Sequence, residues 1–178
     1  MRILLVLSLL AFSSLASAEG FRGMPWGTAE EEILEREGEP LTTKGDCLVY
    51  SGSIVERRAV ILFCLDGEGL YRGAYVFQQR YPQPYQQHVR DFQRLDRLLK
   101  EKYGAPIQES VQWHDPRLWL EPAHWGHRIA IGALELRNEW TEPQAHIVMS
   151  LRRGDEGGIA HYVSYESAEQ RERERGLL

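Results

Sequence analysis

The chain has 178 residues, 26 acidic side chains against 21 basic ones, a formal net charge of −5 and aromatic residues at 10% of the total. A mildly acidic sequence with scattered charges lacks the basic patch that nucleic acid or an anionic lipid surface requires. An apolar share of 43% excludes a disordered chain, and the length suits one domain or two small ones.

Residues 1–18 read as a targeting signal. Arg2 supplies the positive start, Ile3 to Phe12 the apolar run, and Ala16-Ser17-Ala18 an A-x-A cleavage site. The run is shorter than the roughly 20 residues a membrane-spanning helix needs. No cysteine follows it to carry a lipid anchor. The expectation is a periplasmic or secreted protein, cut after Ala18, with no integral membrane segment in the mature chain. Its two cysteines, Cys47 and Cys64, then occupy an oxidising space, where an even count suggests a bridge. They fall in neighbouring strand-like stretches, and a connection near Val55 sets them opposite each other.

Phe21 and Trp26 are expected to plug the sheet beside a first short helix. Thr28 and Glu31 have capping-box spacing at its start, and Gly38 and Pro40 mark its stop. Three strands follow: Cys47 to Ser51, Arg58 to Leu65 and Leu70 to Gln79. The middle one is apolar at nearly every position, as a strand covered on both faces would be. Tyr81-Pro82-Gln83-Pro84 breaks the sheet, and Pro84 suits the first turn of a helix. From His88 to Tyr103 an amphipathic helix presents Val89, Phe92, Leu95, Leu99 and Tyr103 on one side, with Asp96 interrupting the arc. Gly104 and Pro106 stop it. Ile107 to Trp113 reads as a strand and His114 to His127 as a long irregular segment. Arg128 to Trp140 reads as a strand with a slip at Ala133-Leu134 and a bulge near Gly132. Gln144 to Arg152 and Ile159 to Tyr165 are further strands, and residues 167–178 form a charged helical tail.

Ile33 to Leu41 sets against Leu99 to Ile107, with glutamate, glycine and proline coinciding. That similarity suggests an internal repeat. The fold expected is α+β: two tandem helix-plus-antiparallel-sheet units, residues 19–82 and 83–166, with helices packed on one face of the sheet.

The opening Phe21-x-Gly23-x-x-Trp26-Gly27-Thr28 resembles the start of small exported bacterial proteins of unknown function. Leu98 to Pro106, with Trp140 and Ile147 to Leu151, resembles their second half. The helix–Gly-x-Pro–sheet unit is similar to the repeat of the β-lactamase-inhibitor-protein and BamE-like outer-membrane assembly folds. The resemblance implies a two-unit fold and work at the envelope, and carries over no catalytic residue.

The richest stretch for function is the loop 113–127. It holds Trp113, His114, Trp119, Trp125 and His127, residue types that anchor partners or stack on flat ligands. The competing reading is a loop folded down to cap the sheet, its indoles packed. A metal set could be drawn from His114, Asp115, His124 and His127, but His-x-x-His in a loop does not fix ligand geometry and no thiol joins it. No metal or cofactor is expected. The sequence has no G-x-S-x-G elbow, Walker loop or H-E-x-x-H. Ser164 or Ser167, His161 and Glu166 crowd one strand too closely for a triad. The expected function is an exported, non-enzymatic protein-interaction or envelope-associated module with an envelope protein as partner. The alternative is small-ligand or metal binding through the Trp/His loop.

Overall fold

A computed structural model describes residues 20–83, 85–119, 121–155 and 157–176. Residues 1–18, read above as a targeting signal, and Pro84 lie outside them. In chain order the elements are β1 (Gly20–Phe21), β2 (Met24–Pro25), α1 (Glu30–Glu37), β3 (Thr42–Lys44), β4 (Cys47–Ile54), β5 (Arg57–Asp66), β6 (Gly69–Phe77) and α2 (Gln86–Tyr103). There follow β7 (Gln108–Trp113), α3 (Trp125–Ala130), β8 (Leu134–Glu142), β9 (Ala145–Arg153), β10 (Ile159–Ser167) and α4 (Ala168–Gly176).

The strands from β3 onward form one antiparallel sheet of eight, in the order β3-β4-β5-β6-β10-β9-β8-β7. This overturns the expectation of two tandem helix-plus-sheet units. The two helix stops are alike: Gly38 and Gly104 adopt φ 81° and 77°, and each N–H bonds the carbonyl four residues back. Yet the strands that follow do not close into separate sheets. β6 pairs with β10 from Arg72–Glu166 to Val76–Tyr162, so strands from both halves of the chain share one ladder. A strand with a free edge gains main-chain hydrogen bonds by pairing, and the seam satisfies two such edges at once.

One face of the sheet carries the core. The row Tyr50–Ile61–Tyr75–Val163–Met149–Asn138 crosses six strands, and the next row is Leu48–Phe63–Gly73–Tyr165–Ile147–Trp140. Phe21 lies over this second row, its ring edge-on to Phe63 and tilted against Tyr75 and Tyr165. Gly73 has no side chain because a Cβ there would sit 2.1 Å from that ring. Ile33 of α1 and Val89, Phe92, Leu95 and Leu99 of α2 join the same core. Asp96, which breaks the apolar arc of α2, accepts from Asn138 Nδ2 (2.7 Å) and pairs with Lys100 (2.9 Å). Trp140 Nε1 donates to the Gly104 carbonyl (3.0 Å), tying the helix stop to β8. On the opposite face Val49, Val60, Leu62, Val76 and Tyr162 remain half-exposed. The even run of apolar residues in β5 therefore does not mark a strand buried on both sides.

Two local readings change, and the helical tail is found as expected. Thr28 does not cap α1; Ala29 is the N-cap and makes no side-chain bond, while Thr28 Oγ1 donates to the Pro25 carbonyl (2.7 Å). The stretch 128–140 is not one bulged strand. α3 ends at Ala130, Gly132 turns the chain at φ 79°, and β8 begins at Leu134. The slip in alternation at Ala133-Leu134 was the helix-to-strand boundary. The tail folds as α4, where Ser167 Oγ accepts the Gln170 N–H (3.1 Å) and Arg171 Nη1 reaches His146 Nδ1 (2.6 Å).

Cys47 and Cys64 stand opposite each other in the β4–β5 ladder and are joined in a disulfide. The hairpin turns at Val55 and Glu56, both at positive φ as a primed turn requires. The bridge spans 17 residues, and closing such a loop constrains the unfolded chain. Replacing both cysteines with alanine is expected to cost roughly 2–3 kcal/mol, read as a lower midpoint of urea unfolding. An unchanged midpoint would mean the bridge adds nothing to the hairpin register. Among the described residues, no helix is long and apolar enough to cross a membrane.

Candidate functional site

β6 and β10 part beyond Val76–Tyr162. On its other side β6 stays paired to β5 as far as Ala59–Phe77, and β10 is paired to β9 from Ile159–Arg153. A cleft of about 570 Å³ opens at this end of the sheet, lined by Gln79, Tyr81, Tyr85, His88 and Ile159 and by the turn at Gly154, Gly157 and Gly158. That volume lies within the roughly 300–1,000 Å³ of typical ligand sites.

The start of α2 forms one wall. Tyr85 precedes the helix at φ 64°, a left-handed conformation that costs a non-glycine residue energy, and it lines the cleft. Its carbonyl accepts the His88 N–H (3.0 Å). Beneath lies a buried polar network. The Asp91 carboxylate, 3% exposed, accepts from the Arg57 guanidinium, from Tyr81 O–H (2.7 Å) and from Gln87 Nε2 (2.8 Å). Arg57 comes from the start of β5, so the network ties the sheet to the first turns of α2. Burial, then the bond to Asp91, pushes the Tyr81 phenol above its ordinary range. His88 rests edge-on against the Tyr81 ring, and burial holds its imidazole below the usual value.

His161 sits on β10 against Phe77 and Phe92 and is 4% exposed. Burial, reinforced by the Arg57 charge, lowers it to about 3, so it is neutral at physiological pH. Its Nε2 and the buried Oε1 of Gln79 have no hydrogen-bond partner among the described residues. Both atoms lie at the end of the sheet where the strands part. His161 points to the opposite face from Ser164 and Glu166, and strand alternation keeps the three from meeting.

The Trp/His loop takes a different place. Trp113 and Trp125 are partly buried against the core, whereas Trp119 is 62% exposed. His114, His124 and His127 are exposed. His114 stands 3.9 Å from Glu135, and Asp115 is held by Arg117 in the turn 116–118. The structure does not bring His114, Asp115, His124 and His127 into one ligand set. Among the described residues, the group close enough to share an ion is Asp46, Cys47 and Cys64, whose sulfurs are spent in the disulfide.

What the loop does is hold α2. Gln86 Nε2 donates to the Pro122 carbonyl (2.9 Å), and its Oε1 accepts the Gly126 N–H (3.0 Å). A Cβ on Gly126 would lie 2.5 Å from the Tyr85 carbonyl carbon. Gly126→Ala is expected to push the two helices apart at about 1–3 kcal/mol. The check is chemical denaturation together with the Tyr85 amide chemical shift; a variant as stable as wild type, with that shift unmoved, would show the contact to be slack.

A second polar cluster, His146 between Glu139 (3.1 Å) and Arg171 (2.6 Å), lies under α4. Arg171 can only donate, so Nδ1 accepts and Nε2 carries the proton toward Glu139. Burial and the Arg171 charge lower the His146 value. This cluster docks the C-terminal helix.

Sequence reasoning missed the cleft. Its lining comes from the stretches 76–88, 154–155 and 157–160, and the buried groups beside it from Arg57, Asp91 and His161. The available signals were His88 and Asp91 on the inward face of α2 and His161 at an inward position of β10. The chain matches no protein-family model, no curated protein and no solved structure.

Proposed function

We propose that this is an exported, non-enzymatic binding module, acting in the periplasm or outside the cell after cleavage at Ala18, and that it takes its partner in the cleft between β6 and β10. The parting of those strands over the Arg57–Asp91–Tyr81 network carries the reading. A sheet selected for stability alone would close the seam and fill the site with apolar groups, since a buried ion pair is often no better than a hydrophobic replacement. Among the described residues that line it, the cleft has no serine, cysteine or lysine, but it does present Gln79, His88 and Asp155 together with Tyr81 and Tyr85. The disulfide agrees with export. Trp119 keeps the loop as a second reading, because it is a large aromatic left in solvent.

Site-specific photocrosslinking separates the two. With p-benzoylphenylalanine in place of Arg80 at the cleft rim, irradiation of intact cells is expected to give a discrete envelope adduct. The same probe in place of Trp119 should give none. An adduct from Trp119 alone would move the site to the loop, and silence at both positions would remove the binding reading.

A further inference from the structure

We infer that the cleft accepts an extended polypeptide segment, which pairs its backbone with the free side of β10 at Ile159–His161. The inference rests on the cleft being the binding site. Along an antiparallel strand, successive residues direct their N–H and C=O groups to alternate neighbours. β9 meets β10 from Ile159 onward, but β6 meets it only from Tyr162. Of Ala160 and His161, one therefore turns its main-chain donor and acceptor toward the side on which β6 no longer pairs. Such a half-paired strand end is a template for an added strand.

The rest of the cleft suits a peptide better than a compact charged ligand. Arg80 and Asp155 place one charge of each sign along it, which favours neither an anion nor a cation. Gln79 offers a buried acceptor without a partner, and a peptide N–H is a donor of the right kind. Gly154, Gly157 and Gly158 leave bare backbone on either side of Asp155 and its neighbour, and added Cβ atoms at the last two would meet nothing, so a backbone can come close there. Tyr81, Tyr85 and Ile159 form apolar walls for the side chains of alternate residues.

The test starts from a phage-displayed random heptapeptide library selected on the purified, disulfide-bonded protein. The best sequence is synthesised with capped ends and titrated into ¹⁵N-labelled protein. Expected are shifts and slowed amide exchange at Ile159 to His161. N-methylation at alternate peptide nitrogens should weaken binding at least tenfold for one parity and little for the other. Gln79→Leu, checked by circular dichroism for an intact fold, should weaken it about tenfold. Failure of any peptide to enrich, indifference to N-methylation, or shifts confined to the Trp119 region would each overturn the peptide proposal. If no peptide binds while the Arg80 crosslink persists, the cleft stands and it takes a folded surface of the partner, not an extended segment. Loss of both removes the cleft as well.

Discussion

Asp91→Ala is expected to destabilise the protein by about 3–5 kcal/mol, the cost of stranding one member of a buried ion pair. Arg57 has 14% of its side chain exposed and Asp91 4%. Without the carboxylate, the guanidinium, the Tyr81 hydroxyl and the Gln87 amide all lose their acceptor at once. The penalty comes from leaving these groups unpaired, so removing the guanidinium too should restore much of the loss. Urea denaturation of Asp91→Ala and of Asp91→Ala with Arg57→Met measures both. A single variant within 1 kcal/mol of wild type would mean that water reaches the guanidinium and that the network is not a closed floor.

Acidification is expected to weaken the fold well before the carboxylates titrate. His161 drops from an ordinary 6.5 to about 3 in the folded protein. The unfolded chain therefore takes up a proton below pH 6.5 that the folded protein refuses until about pH 3. The stability this group confers is complete above 6.5 and declines as pH falls through that window, by about 1.4 kcal/mol per unit. Between pH 6.5 and pH 4.5 the loss from this residue is about 3 kcal/mol. His88 and His146 are lowered too and act in the same direction. In His161→Leu this share of the slope should disappear, with stability at pH 7 preserved or improved. Urea midpoints from pH 7 to 4.5 for both proteins decide the matter; parallel curves would rule out His161 as the sensor.

Much of the architecture was legible because it rests on local periodicity. The helix around Phe92 and Leu95, the three strands after Cys47 and the last two strands follow from spacing alone. So did the disulfide, because a turn at Val55 fixes the register that brings Cys47 to Cys64. α3 was misread because Ile129, Ala133 and Leu134 carry apolar residues through a turn at Gly132, and helix and strand periods cannot be told apart over so few positions. β1, β2 and β3 have two or three residues each and no period to detect. The division into two units failed for a different cause. Which strand edge joins which is settled by pairing between distant residues, and nothing within β6 or β10 announces its partner. The cleft was hidden for the same reason, since it exists only where that distant pairing stops. The Trp/His loop drew attention by composition, yet Trp113 and Trp125 pack against the core and Gly126 holds α2.

The seam has a consequence for how the chain acquires its shape. Within the large sheet every ladder but one joins strands adjacent in sequence, and the exception ties Arg72–Val76 to Tyr162–Glu166. The meanders on either side can assemble early, because short loops cost little entropy to close. Until β10 is in place, β6 presents an open, apolar margin to every neighbouring molecule. A chain emerging N-terminus first holds that margin bare for most of its second half, so premature truncation anywhere before residue 159 should yield aggregates and not a smaller folded protein.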